Sequence, residues 1–176
     1  MKKPKTIFSL DTLFKMCCEI KGSGKTIGLT HGAFDLFHYS HLDLLHKSSA
    51  LCDFLIVGVD SDKSVASYKE SKRPIVKEEY RLGIINGIDV VDAVFMKDIP
   101  LDDNRHIDLY KDLMVDVITV GQHYFAEELM YERADRSKAK LVKLNTWQEP
   151  TTTSIINTII EQYSGENTRE VPKSNY

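Results

Sequence analysis

An α/β fold is predicted for this chain: a doubly wound, mainly parallel sheet with helices on both faces. Three observations carry that expectation. Apolar runs of strand length alternate with segments whose apolar residues recur at helical spacing. One run, Phe54-Leu55-Ile56-Val57-Gly58-Val59, is continuously apolar, as suits a parallel strand covered on both faces. Glycine, histidine and aspartate follow the predicted strands, where open sheets of this kind bind ligands.

Each element has its own justification. Ser9 caps a helix over about 10–20, in which Leu10, Leu13, Phe14, Cys17 and Ile20 share a face. Gly22-Ser23-Gly24 ends it. A strand over 26–30 leads into a turn, and a helix from His41 runs to about 51. The strand 54–59 ends in Asp60-Ser61-Asp62, which caps a helix over 62–68. A charged loop, 68–74, carries Lys69, Lys72 and Arg73, and a helix over 78–88 follows. Val90, Val91, Val94 and Phe95 suggest a third strand, 105–113 a helix, and 115–120 a fourth strand closed by Gly121. A helix over 126–137, a short strand over 140–144 and a helix over 152–163 complete the pattern.

A chain of 176 residues favours one domain, taken as 1–163 with a leading helix and linker over 1–24. Residues 164–176 form a polar tail. Apolar content of 42%, charged content of 28% and a net charge of −3 exclude a general nucleic-acid binder, which carries a basic excess. Cys17, Cys18 and Cys52 are odd in number and two are adjacent, which argues for a reduced, cytoplasmic setting. No long apolar region follows the basic Met1-Lys2-Lys3-Pro4-Lys5, so neither a signal peptide nor a membrane span is expected.

The stretch Thr30-His31-Gly32-Ala33-Phe34-Asp35-Leu36-Phe37-His38-Tyr39-Ser40-His41 carries the strongest functional signal. Gly32 marks a turn where the backbone takes unusual dihedrals or approaches a ligand closely. His38 and His41 share one face of the helix that begins there. A helix start offers N–H groups and a positive dipole end to an anion, so the combination suggests a phosphate site. Surface and capping roles are the ordinary uses of such histidines. A metal site needs further ligands, and no third His or Cys lies nearby in sequence.

Other candidates follow the later strands. Asp60 and Asp62 follow the second, and Gly121 and His123 the fourth. Thr151-Thr152-Thr153 precede the last helix, where hydroxyl and N–H groups suit phosphate, although a plain N-cap is the commoner use. Lys69, Lys72, Arg73 and Arg81 supply positive charge. Gly24-Lys25-Thr26 echoes the end of a phosphate-binding P-loop, but its first glycine would fall at Glu19 inside a helix, which rejects that motif.

The segment Gly32-Ala33-Phe34-Asp35-Leu36-Phe37-His38-Tyr39-Ser40-His41 resembles the G-x-F-D-x-x-H-x-G-H signature of the cytidylyltransferase-like nucleotidyltransferases. The resemblance covers about residues 9–162 and is nearest to the heptose 1-phosphate adenylyltransferases. That branch has a V-N-S-D-x-S-V-like strand end, here Val59-Asp60-Ser61-Asp62-Lys63-Ser64-Val65. Its L-K-G-x-x-R-P-I loop appears as Tyr68-Lys69-Glu70-Ser71-Lys72-Arg73-Pro74-Ile75, and its E-E-x-R helix start as Glu78-Glu79-Tyr80-Arg81. Its G-G-D-Y strand end resembles Gly121-Gln122-His123-Tyr124, and its S-T-T resembles Thr151-Thr152-Thr153. Ser40, His31, Glu70 and His123 depart from glycine, asparagine, glycine and aspartate respectively. The glycerol-3-phosphate cytidylyltransferases, more distantly similar, carry an arginine before the threonines that Asn145-Thr146-Trp147-Gln148-Glu149-Pro150 lacks.

The resemblance implies a Rossmann-like fold and transfer of NMP from an NTP to a phosphorylated sugar or polyol, with pyrophosphate released. ATP is favoured, with CTP the alternative. A nucleotide-binding protein that has lost catalysis is the reading from a different class. His38, His41 and Lys69 are the implied catalytic residues. The nucleotide would be held by His31, Gly32, Ala33, Phe34, Asp35, Ser40, Arg81, Gly121, Thr151, Thr152 and Thr153, and the acceptor by Asp60, Asp62 and His123. Mg²⁺ would arrive on the triphosphate with no protein ligand. A homo-oligomer is expected, with no nucleic acid and no membrane partner. Ser40 would either crowd the nucleotide or act as a small helix cap, its hydroxyl satisfying a backbone N–H or a phosphate oxygen.

Overall fold

The computed structural model describes residues 7–69, 72–122, 124 and 126–164. The expected tail beyond 164 and the predicted acceptor contact His123 lie outside them. Among the described residues the order is α1 (Leu10–Gly22), β1 (Ile27–Gly32), α2 (Tyr39–Ser49), β2 (Phe54–Asp60), α3 (Asp62–Tyr68) and α4 (Glu78–Asn86). Then come β3 (Ala93–Lys97), α5 (Arg105–Asp112), β4 (Val117–Gly121), α6 (Glu127–Ser137), β5 (Lys140–Leu144) and α7 (Thr152–Tyr163).

The strands form one five-stranded sheet in the order β3-β2-β1-β4-β5, with every pairing parallel. The two-residue side-chain period of a strand sends alternate residues to opposite faces. On β2, Ile56 packs with Leu13 of α1 and Leu109 of α5. Leu55, Val57 and Val59 pack on the other face with Leu45 of α2 and with Leu82 and Ile85 of α4. Both faces of the sheet are therefore covered, which is why its central strands read as unbroken apolar runs.

Local chemistry sets the element ends. The Ser9 hydroxyl accepts the Thr12 N–H at 3.3 Å and starts α1. Ser61, between the two aspartates, caps α3 by accepting the Ser64 N–H at 3.0 Å. Three other aspartates close the amino edge of the sheet. Asp53 accepts the Thr26 N–H at 2.8 Å, Asp92 the Leu55 N–H at 2.8 Å, and Asp116 the Ile27 N–H at 2.8 Å. Val90 and Val91 accordingly lie in the turn before β3, and Val115 in the turn before β4, rather than in the strands. Val91 is still fully buried in the core. Gly58 of β2 bears on the site: a Cβ there would come within 3.2 Å of the His31 Cβ and 3.0 Å of the Phe95 ring. Its bare backbone makes room for the histidine side chain on β1.

Among the described residues no helix is long and apolar enough to cross a membrane.

Candidate active site

The strand order reverses between β1 and β4, so the connections on either side leave the sheet in opposite directions and open a crevice at the carboxyl ends. A cleft of about 340 Å³ lies there, between the β1–α2 turn, the end of β4 and the start of α7. It brings together most of the predicted residues: His31, Gly32, Ala33, Phe34, Asp35, His38, Ser40, His41, Asp60, Lys69, Gly121, Thr151, Thr152 and Thr153. Arg81 and Asp62 do not line it.

His38 is the N-cap residue of α2, yet its side chain makes no capping hydrogen bond. The His38 and His41 rings instead stack, with centroids 3.8 Å apart and planes inclined by 24°. Phe34 presents its ring edge-on to His41 at 5.4 Å, and Phe37 tilts against it at 5.7 Å. Burial, then the neighbouring His38, push the His41 imidazole down to about 3, against the opposing pull of Asp35. Burial lowers His38 as well, with Glu149 opposing. Both rings are thus neutral near pH 7. Their Nδ1 atoms are buried without a hydrogen-bond partner among the described residues. Unmet polar atoms of this kind are uncommon and concentrate at functional sites.

Asp35 organises the turn. Its carboxylate, 1% exposed, accepts from Arg73 Nε at 2.7 Å, from the Val76 N–H at 2.9 Å and from the Ile75 N–H at 3.0 Å. Burial alone would raise its pKa, but the N–H groups of Ile75 and Val76 and the Arg73 guanidinium hold it below the usual carboxylate range. The unusual dihedrals expected at Gly32 belong to its neighbours: Phe34 and Leu36 have φ of 49° and 45°. Left-handed backbone at two side-chain-bearing residues costs about 1–3 kcal/mol each, and Asp35 between them supplies the compensating bonds.

Arg81 departs from its expected place. Its side chain is fully buried, and donates to the Val76 carbonyl at 2.8 Å, to the Ala33 carbonyl at 2.5 Å and to Asp62 at 2.6 Å. The guanidinium braces α3, α4 and the histidine turn from behind, because three acceptors converge on it there. Asp62 is its counter-ion.

The start of α7 faces the histidine turn. Thr151 and Ser154 form a reciprocal capping box, so the Thr151 hydroxyl is a cap, the commoner of the two readings. The Thr152 hydroxyl donates to the Asp35 carbonyl at 2.9 Å and joins α7 to the turn. The Ser40 hydroxyl donates to the Pro150 carbonyl at 3.0 Å, joining α2 to the segment before α7. It does not cap its own helix. Ser40→Gly is expected to lower the melting temperature slightly, losing one partly solvated hydrogen bond of roughly 0.5 kcal/mol, without raising kcat/KM. A large rise in kcat/KM would show that the serine obstructs the cleft.

The floor contains residues that sequence reasoning missed. Asp60 accepts from the Tyr68 hydroxyl at 2.5 Å and pairs with Lys97 at 2.7 Å. His31 Nε2 lies 2.7 Å from the Tyr110 hydroxyl, and His106 lies beside it with ring centroids 5.5 Å apart. Burial, then Lys97, His106 and Arg133, hold His31 well below its ordinary pKa. Arg133 is fully buried and donates to the Leu101 and Asp103 carbonyls. The only sequence signal for these groups was polar residues interrupting otherwise apolar periodic segments. Tyr68, Arg73, Tyr124 and Trp147 also line the cleft.

Two helix starts converging on one crevice, at the switch point of a parallel sheet, define a Rossmann-like fold whose cleft suits an anionic ligand. Residues 29–167 match the family model described as cytidylyltransferase-like. The chain belongs to that family. The bifunctional protein HldE of Pelobacter propionicus is 33% identical over 147 residues, covering 82% of this chain and 29% of the relative. HldE of Geobacter sulfurreducens is 30% identical over 159 residues, covering 90% and 32%. The chain therefore spans under a third of the length of these relatives. A crystal structure of the lipopolysaccharide core biosynthesis protein from Thermoplasma volcanium GSS1 matches with a TM-score of 0.59 and 26% identity, over 71% of this chain and all of that one. Pantoate-beta-alanine ligase from Francisella tularensis shares the fold, with a TM-score of 0.62 at 13% identity over 95% of this chain and 82% of the ligase.

Proposed function

We propose that this enzyme transfers a nucleoside monophosphate, AMP by preference, from an NTP to the phosphate of a sugar or polyol phosphate and releases pyrophosphate. The observation that carries the reading is the stacked, neutral His38–His41 pair facing the start of α7 across the cleft. The likeness to HldE and to the heptose 1-phosphate adenylyltransferases supports the acceptor class and the preference for ATP.

In this reading an acceptor phosphate oxygen attacks the α-phosphorus in line. One P–O bond forms, the bond to the β-phosphate bridging oxygen breaks, and pyrophosphate leaves with that electron pair. Positioning and charge stabilisation suffice for such a transfer. The N–H groups of His38 and His41 donate to the α-phosphate and its bridging oxygen. Lys69, exposed at the end of α3 and lining the cleft, neutralises phosphate charge. The first turn of α7 receives the outer phosphates, and Arg81 acts by bracing the turn. Among the described residues no group of three or more His, Cys, Asp or Glu is placed to hold a metal ion. The triphosphate would carry Mg²⁺, which neutralises phosphate charge, on its own oxygens.

A screen of ATP and CTP against a set of sugar and polyol phosphates, read by pyrophosphate release, tests the transfer. Calorimetric titration with each nucleotide tests the base. ATP is expected to bind more tightly and to turn over; tighter CTP binding with productive turnover would overturn the adenylyl assignment. The base-facing groups in this reading are Gly121, Tyr124, Thr146 and Trp147, all of which line the cleft.

A further inference from the structure

We infer that Asp60, held by Lys97 and Tyr68, is the specificity-determining residue for the acceptor and selects a phosphate ester with a neutral, hydroxylated body over an amino-alcohol phosphate. The inference rests on the nucleotidyl-transfer reading above and names what the acceptor must offer.

Asp60 ends β2 and lies on the floor of the cleft, on the far side of β1 from β4. The nucleotide-facing elements, α2 and α7, leave this end of the crevice for the second substrate. An ionised carboxylate only accepts hydrogen bonds, and its two oxygens offer about four lone-pair sites. Tyr68 and Lys97 each approach one oxygen, at 2.5 and 2.7 Å, which fixes the carboxylate and leaves acceptor capacity open. A ligand group seated there must therefore be a donor, either a hydroxyl or an ammonium.

The surrounding charge chooses between them. Lys97 neutralises Asp60 at contact distance, and its side chain is only 3% exposed. Tyr68 is held protonated by its burial and by Asp60, so it adds no negative charge. With the Lys97 ammonium already on the carboxylate, an incoming ammonium would be a second cation at the same group, and a neutral hydroxyl is the matching donor. The resembling motif has asparagine at this position, so the carboxylate is a departure from that motif.

The test compares the wild type with Asp60→Asn and Asp60→Asn/Lys97→Met, using ATP with glycerol 3-phosphate, a hexose 1-phosphate or phosphoethanolamine. The double variant removes both charges together, because either one left alone would be buried without its partner. Wild type is expected to favour a hydroxylated acceptor over phosphoethanolamine. The double variant should raise the KM for that acceptor by roughly 10- to 100-fold, the range set by a charge-assisted hydrogen bond. ATP affinity by calorimetry and the melting temperature should stay near wild type. A preference for phosphoethanolamine, or an unchanged acceptor KM in a folded double variant, would overturn the inference. Wild-type pyrophosphate release reports on transfer itself, so the two readings fail separately.

Discussion

Replacing His38 or His41 with alanine is expected to lower kcat by about 10²–10³-fold while weakening nucleotide binding far less, the scale of losing one preorganised donor in a transition state. The two rings stack at 3.8 Å, and Phe34 and Phe37 pack against His41. Neither imidazole has to reorient far to meet charge developing between the α- and β-phosphates. Both are neutral at rest, so an incoming triphosphate meets two N–H donors without two like charges at close range. The two losses should not add in the double variant, because stacked groups acting on one phosphate form a unit. Single-turnover kinetics beside calorimetric nucleotide affinity separates the effects. Near-wild-type kcat in both single variants would remove the histidines from the chemistry.

Acid should destabilise the protein well before its carboxylates are protonated. Unfolded, each histidine titrates near 6.5, whereas burial, then Lys97 and Arg133, hold folded His106 down at about 3. Folded His41 is also near 3, and His31 is lowered by burial and the same buried cations. Between those limits the unfolded chain binds more protons than the folded one. The stability these groups contribute is complete above about pH 6.5 and is lost progressively as pH falls towards 3. At pH 5 the fully buried His106 accounts for roughly 2 kcal/mol of that loss. Urea unfolding at pH 7.5, 6 and 5 measures the slope, and His106→Gln should flatten it. A flat profile in the wild type would mean that these rings reach solvent.

Much of the sheet was legible because its central strands are buried on both faces and read as uninterrupted apolar runs. The ends were less so. Asp92 and Asp116 look like loop residues, yet their carboxylates take N–H groups from neighbouring strands, and the strands begin after them. The β1–α2 turn was legible from its residue types, because a glycine and two histidines three apart coincide at one helix start. Arg81 misled: an exposed and a buried arginine look alike in sequence, and only the convergence of Ala33, Val76 and Asp62 turns this one inward. Lys97, His106 and Arg133 come from three separate elements, so no local spacing joins them.

Helix α7 supplies threonines that line the cleft, yet none of its residues is buried. Ile159 and Ile160 are 50% and 55% exposed. Its ties to the turn are the Thr152 and Ser40 hydrogen bonds rather than a packed face. A segment held in this way is expected at the low-stability end of the native ensemble, opening without global unfolding. In the nucleotidyl-transfer reading, nucleotide binding is expected to be linked to formation of this helix. Part of the interaction free energy orders α7, the measured affinity falls short of the intrinsic one by that amount, and amide exchange along α7 slows when the cleft is filled.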